Sequence, residues 1–213
     1  MSKVTIIDYG MGNILSVQRG LERCGAEVTL TSDPELILAS KRVVLPGVGA
    51  FAKGMQALDG LGLIRVIREL ANRQIPLLGI CLGMQLLLDE SEEFGITAGL
   101  GLIPGRVIKM PAHTLMGKEQ KIPHIGWTPI QISGLTTGWK GSLLEDSCPG
   151  EAFYFVHSYM AVPTDISCCI ANSFYGGHKI AAVIAQDQIT GCQFHPEKSG
   201  EYGLKILRKF CDD

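Results

Sequence analysis

The residues best placed to do chemistry together in this sequence are Cys81, His195 and Glu197. Cys81 sits in Leu77-Leu78-Gly79-Ile80-Cys81-Leu82-Gly83-Met84-Gln85, where the apolar run from Ile75 to Ile80 reads as a short buried strand. The apolar positions from Leu82 to Leu88, closed by Asp89-Glu90, read as a helix. The cysteine therefore lies on a sharp strand-to-helix turn, with a glycine two residues to either side because side chains there would clash. Such an elbow is expected to hold the sulfur exposed above the sheet, next to a helix N-terminus. Backbone N–H groups and the helix dipole there favour the thiolate, which attacks carbonyl carbon, and can hold the oxyanion that results. A free cysteine is more often a small buried hydrophobe, so the elbow alone leaves both readings open.

A thiol of ordinary pKa is mostly protonated at neutral pH, so the nucleophilic reading requires a base. Ile189-Thr190-Gly191-Cys192-Gln193-Phe194-His195-Pro196-Glu197-Lys198 supplies one. A short strand runs into His195, Pro196 stiffens the turn, and Glu197 follows two residues after the histidine. Glu197 would fix the imidazole tautomer and stabilise its cation, while His195 exchanges a proton with Cys81. Elbow, strand exit and the order Cys…His…Glu together favour a nucleophile.

These stretches, with the loop Pro46-Gly47-Val48-Gly49, resemble the class I (triad-type) glutamine amidotransferases over essentially the whole chain. Four features resemble the branch of that family that serves imidazole glycerol phosphate synthase in histidine biosynthesis. They are Asp8 to Ser16, His124-Ile125-Gly126-Trp127, Phe155-Val156-His157-Ser158-Tyr159, and His195 to Ser199. The resemblance implies a glutaminase subunit in which Cys81 attacks the side-chain amide of L-glutamine and water later hydrolyses the thioester. It also implies oxyanion-hole amides at Val48 and Leu82, glutamine contacts at Gly49 and Gln85, and no metal or organic cofactor. The implied partner is a (β/α)8-barrel cyclase subunit, joined to this chain as a heterodimer. It would take the ammonia through a channel and form imidazole glycerol phosphate and aminoimidazole carboxamide ribotide. Asn13, Ser16, Trp127, Tyr154 and Lys198 are expected at that interface.

Two glycines flank Val48 and would let a peptide plane rotate, so an oxyanion hole completed only when the partner is loaded is a hypothesis. Gly10-Met11-Gly12 suggests a dinucleotide fingerprint, but the third glycine position is Leu15, and a loop whose Asn13 and Ser16 face a partner is the stronger reading. Three alternatives stay open: a cysteine hydrolase or peptidase acting alone, a degenerate binding module, and a glutaminase feeding another synthase such as anthranilate or pyridoxal phosphate synthase.

The elements that must position these residues alternate. Val4 to Ile7, Glu27 to Thr31 and Val43 to Leu45 read as strands, with helices at Asn13 to Cys24, Phe51 to Leu58 and Ile64 to Arg73. From about Ile103 shorter strands follow: Arg106 to Met110, Phe153 to His157, Ser167 to Phe174, Lys179 to Ala185 and Gln188 to Phe194. Glu201 to Phe210 reads as a closing helix and Pro111 to Gln120 as an exposed loop. The expected fold is α/β, a three-layer sandwich with a mostly parallel central sheet, helices on both faces and an antiparallel C-terminal extension. Asp8, Pro46 and Cys81 all follow strands, so their loops should share one sheet edge. One domain spanning 1–213 is expected, since no linker, repeat or low-complexity tract interrupts the pattern.

Composition narrows the function classes. A net charge of −2 argues against a nucleic-acid partner, and no apolar run is long enough to span a bilayer. Seven cysteines, an odd number with Cys168 and Cys169 adjacent, argue against a disulfide framework and for a reducing cytoplasm. The start Met1-Ser2-Lys3-Val4 enters a strand at once and reads as no targeting peptide. Of the remaining histidines, His113 and His178 are expected in solvent, and His124 and His157 at an interface or the rim of the site.

Overall fold

The structure, a computed structural model, describes residues 2–134 and 138–212. Its first half gives β1 (Lys3–Ile7), α1 (Ile14–Arg23), β2 (Glu27–Thr31), α2 (Pro34–Leu38), β3 (Val43–Gly47), α3 (Phe51–Gly60), α4 (Leu63–Asn72), β4 (Leu77–Cys81) and α5 (Leu82–Leu86). The second half is mostly strand: β5 (Glu90–Ser91), β6 (Thr97–Ala98), β7 (Gly105–Lys109), β8 (His124–Pro129), β9 (Gln131–Ile132), β10 (Ala152–His157), β11 (Tyr159–Pro163), β12 (Cys169–Tyr175), β13 (His178–Gln186) and β14 (Ile189–Cys192), closed by α6 (Gly200–Asp212).

Among the described residues the main sheet runs β2-β1-β3-β4-β14-β13-β12-β9. Its first five strands are parallel. The last three are antiparallel, as the hairpin pattern near the C-terminus implied. Every residue of β3 and β4 is buried, because helices cover both faces of the parallel part. Successive strand residues face opposite ways and feed two separate cores. Ile7 and Leu45 pack with Phe51 and Leu58 of α3 and Leu63 and Ile67 of α4; Ile6 and Val44 pack with Val17 and Leu21 of α1 and Leu207 and Phe210 of α6. A four-stranded sheet, β11-β7-β5-β6, and a two-stranded ribbon of β8 and β10 lie apart from the main sheet. No helix among the described residues is long and apolar enough to cross a membrane.

Several elements differ from the sequence reading. Helix α2 was not expected, although its signal is local: the Asp33 carboxylate accepts from the Glu35 N–H at 2.8 Å, and Pro34 takes the first helical position. The elbow helix stops at Leu86 rather than running toward Asp89, because Leu82 to Leu88 are buried throughout and no polar face supports a longer helix. His124 to Pro129, read only as a motif, forms a strand paired antiparallel with β10, with Ile125 and Trp127 exposed. The strand before His195 also ends at Cys192, leaving Gln193 and Phe194 to leave the sheet and carry the histidine across.

The two glycines of the elbow have a steric basis in the fold. A Cβ on Gly83 would overlap the Leu45 carbonyl oxygen, and one on Gly79 would come within 2.8 Å of the Gly83 backbone. Helix α5 therefore begins directly against β3, which is possible only without side chains at both positions. Gly83→Ala is expected to destabilise the fold by about 3 kcal/mol or more, since rigid backbone would have to move. A chemical denaturation midpoint equal to that of wild type would contradict this account.

Candidate active site

Register brings the site together before any side chain does. Cys81 ends β4 and pairs with Gly47 of β3, while Ile80 pairs with Cys192 of β14. The Pro46–Gly49 loop and the segment after Cys192 thus flank the cysteine from the two neighbouring strands. Cys81 itself has φ 53° and ψ −108°, a left-handed backbone rare for a residue with a side chain. Such a conformation costs on the order of 1–3 kcal/mol and persists only where surrounding packing dictates it.

The sulfur is not exposed, as the elbow alone had suggested. Cys81 is 7% accessible; its thiol points to the Val156 carbonyl at 3.8 Å, and the Gln193 amide points to the sulfur at 3.9 Å. The β8–β10 ribbon lies over the elbow and buries it at the base of a cleft. The same ribbon holds the base, since the His195 N–H donates to the Tyr154 carbonyl at 2.9 Å. Ser199 ties both ends of this turn: its hydroxyl donates to the His195 carbonyl at 2.7 Å and accepts from the Tyr154 N–H at 3.0 Å. His195 Nδ1 and Glu197 Oε1 are 2.8 Å apart, both side chains almost fully buried. Nε2 is buried without a conventional hydrogen bond, and the Cys81 side chain lies beside the ring. The structure brings Cys81, His195 and Glu197, expected as nucleophile, base and its carboxylate, into one cluster.

The cleft has a volume of about 300 Å³, at the small end of ligand cavities. Val48, Gly49, Cys81, Leu82 and Gln85 line one side, and Val156 to Tyr159 the other. All four residues expected to form the oxyanion hole and grip the substrate thus meet the nucleophile in one cavity. Gln85 is 6% accessible, and its amide donates to the Tyr159 carbonyl and to Gln193 Oε1, each at 3.0 Å.

Sequence reasoning missed several residues here. Gln193 joins Gln85 to Cys81, but as the residue after a strand it carries no pattern that marks it. Tyr9 donates its hydroxyl to the Pro46 carbonyl at 2.8 Å and so pins the loop that carries Val48. Its ionisation is pushed well above the ordinary phenol range by burial and then by Cys81. Glu93 is the one acid among the described residues lining the cleft, and it accepts from the Phe51 N–H at 2.6 Å where α3 begins. His157, expected at an interface or the rim of the site, lines the cleft with its ring buried. His124 is buried too, stacked between Phe155 and Tyr175, rather than standing at an interface or rim.

The five residues expected at a partner interface surround the same sheet edge. Trp127 is 56% accessible and meets Tyr154 edge-on, with ring centroids 6.1 Å apart. Asn13 and Lys198 are exposed; Asn13 precedes α1 without capping it through its side chain, which leaves that amide free of the role its position suggests. Ser16 is half-buried and lines a hollow on the outer side of Glu197.

Residues 5–213 match the family described as Glutamine amidotransferase class-I. The chain is 47% identical over 210 residues to "Imidazole glycerol phosphate synthase subunit HisH 1" of Legionella pneumophila (strain Lens), covering 99% of each. It is 46% identical over 207 residues to "Imidazole glycerol phosphate synthase subunit HisH" of Geobacillus sp. (strain WCH70), covering 97% of this chain and 95% of that one. The chain belongs to the class-I glutamine amidotransferase family. Its fold is shared with more distant proteins. A chain in the structure of PurLQS from Thermotoga maritima superposes with a TM-score of 0.71 at 17% identity, covering 99% of this chain and 98% of that one. The crystal structure of a glutamine amidotransferase from Thermotoga maritima gives 0.59 at 16% identity, covering 92% and 76%.

The electrostatics of this amidotransferase site separate its histidines. Burial disfavours the His195 cation, but contacts with Cys81 and Glu197 outweigh it and raise the imidazole to about 9. The cation is therefore favoured through neutral pH. The sign for stability follows: a folded-state pKa above the ordinary 6.5 contributes stability that is complete below that pH and lost as pH rises through about 9. Glu197→Gln removes one of the two supporting contacts. The His195 value, read from imidazole resonances across pH, should fall from about 9 toward 6.5, and the alkaline limb of the rate profile should fall with it. An unshifted titration would detach Glu197 from the base.

Proposed function

We propose that this chain is the glutaminase subunit of an imidazole glycerol phosphate synthase, acting in histidine biosynthesis. The observation that carries the chemistry is Cys81, held at a left-handed elbow beside an imidazole whose Nδ1 lies 2.8 Å from the Glu197 carboxylate. The Cys81 sulfur attacks the side-chain amide carbon of L-glutamine, forming a C–S bond as the carbonyl electrons move onto oxygen. Val48 and Leu82 amides hold that oxyanion. The C–N bond then breaks, His195 gives its proton to the departing nitrogen, and ammonia leaves a γ-glutamyl thioester. Water, deprotonated by His195, adds to the thioester carbonyl; the C–S bond breaks, glutamate forms, and the Cys81 sulfur leaves as thiolate beside the reprotonated His195.

Substrate choice follows from the lining. A cleft of about 300 Å³ suits a single amino acid better than a peptide. Its one acid, Glu93, is suited to an α-ammonium group, while Gly49 and Gln85 grip the rest of glutamine. Ammonia released into water would be protonated and lost as a nucleophile, so direct transfer to a partner is chemically sensible. That partner is a (β/α)8-barrel cyclase subunit, bound as a heterodimer over the edge carrying Asn13, Ser16, Trp127, Tyr154 and Lys198. An exposed tryptophan beside a tyrosine is a good interface anchor, which supports this face. The chain acts as one domain, in the cytoplasm, without metal or organic cofactor.

Glutamate release from glutamine by wild type and Cys81→Ala, with and without the cyclase and its nucleotide ligand, tests the reading. Release should vanish in Cys81→Ala and rise sharply with the loaded partner. Full activity without the partner would keep the triad and remove the coupling; activity that survives Cys81→Ala would discard the site. Glu93→Gln keeps an acceptor for the Phe51 N–H but loses the charge, so KM for glutamine should rise about 10-fold or more with a smaller change in kcat. An unchanged KM would remove Glu93 from substrate binding.

A further inference from the structure

One buried polar system lies outside the triad and has a single consistent hydrogen assignment. His157 Nδ1 is 2.8 Å from the Tyr159 carbonyl, which only accepts, so Nδ1 carries the hydrogen. Burial first, then His124 and His195, lower the His157 pKa to about 4 against the effect of the Tyr159 bond; burial alone does the same for His124. Both rings are therefore neutral at working pH. His157 Nε2 is then a lone pair and must receive its bond from His124 Nδ1, 3.2 Å away. His124 Nε2 in turn accepts from the Thr128 hydroxyl at 2.8 Å. Every donor points the same way, from Thr128 through His124 and His157 to the Tyr159 carbonyl.

That carbonyl also accepts from Gln85, whose second amide hydrogen goes to Gln193, which contacts Cys81. With both amide hydrogens committed, Oε1 is the atom of Gln85 left to serve a ligand. Thr128 neighbours the exposed Trp127 on β8, and His124 pairs with His157 across the ribbon. We propose that His124 and His157 are positioning residues of the glutamine cleft, a one-way hydrogen-bond relay through which the outer strand of the ribbon sets the orientation of Gln85. The proposal rests on reading the cleft as a glutamine site.

Thr128→Val tests it at the end farthest from the chemistry. Without the hydroxyl, His124 Nε2 loses its donor, while the Tyr159 carbonyl still keeps the hydrogen of each ring on Nδ1. The His124 ring is then no longer held at its outer end, so its bond to His157 shifts, and with it the carbonyl that His157 and Gln85 share. Thr128→Val should raise KM for glutamine about fivefold, the worth of one hydrogen bond, with kcat within about twofold, and Thr128→Ser should restore it. In the same variant, both rings should keep the Nδ1–H form, while the His124 Nε2 and His157 Nε2 resonances and the Gln85 side-chain amide should shift. Thr128→Ser should show neither change. Unshifted His157 and Gln85 resonances with unchanged KM would overturn the relay, as would a KM rise that Thr128→Ser fails to rescue. If wild type releases no glutamate in a Cys81-dependent manner, the glutaminase reading fails, while the resonances still decide whether Thr128 reaches Gln85.

Discussion

The site depends on one steric constraint, the approach of Gly83 to the Leu45 carbonyl. Because nothing projects from residue 83, α5 starts in direct contact with β3, and the chain must turn through an unfavourable backbone at Cys81 to get there. Parallel pairing then fixes what stands on either side. Gly47 is opposite Cys81 and leads into the Pro46–Gly49 loop, while β14 pairs along the other edge and releases the chain toward His195. The placement of Cys81, the Pro46–Gly49 loop and the approach to His195 is thus a consequence of sheet register, and side-chain hydrogen bonds refine an arrangement the backbone has already made. This is why the elbow can carry strain: three strands and a helix oppose its relaxation.

A second support comes from outside the main sheet. The β8–β10 ribbon meets the sulfur through the Val156 carbonyl and the base through the Tyr154 carbonyl, two alternate residues on the same strand. Any displacement of β10 therefore acts on Cys81 and His195 at once. The face of this ribbon turned to solvent carries Ile125 and Trp127, and its inner face carries His124. Contacts made on the outside and geometry kept on the inside are properties of the same short strand pair. In the proposed function, such a shared element would link partner binding to chemistry.

Much of this was legible in the sequence, and the limits have physical causes. β1, β4 and α1 could be read because hydrophobic runs with short turns encode buried parallel strands and amphipathic helices locally. The Cys81, His195 and Glu197 cluster was legible because the elbow glycines and the His-Pro-Glu turn are each local backbone signals. Gln193, Tyr9 and Glu93 were not, because their roles arise from contacts across 112, 37 and 42 residues of sequence and nothing beside them records those partners. The burial of Cys81 was hidden for the same reason: β8 and β10 are separated in the chain, and only their pairing roofs the cleft. His124 was read at a rim because a polar residue beside glycine and tryptophan resembles a surface stretch, whereas the fold places that residue in an aromatic slot.

The three site histidines show how one protein environment can set opposite protonation states at close range. His195 has a carboxylate at one nitrogen and a thiol beside the ring, and its cation is favoured despite burial. His157 and His124 are buried against carbonyl, hydroxyl and aromatic groups with no acid bonded to either ring, and their cations are disfavoured. These states depend on each other. A proton on His157 would add a second cation near His195 and favour release of the proton that ammonia must take. A neutral pair can still bond strongly, provided its hydrogens are ordered, and the Tyr159 carbonyl imposes that order from one end. The cleft thus sets a histidine whose cation is favoured beside two whose cations are disfavoured, and the difference between them lies in where the fold has placed Cys81 and Glu197.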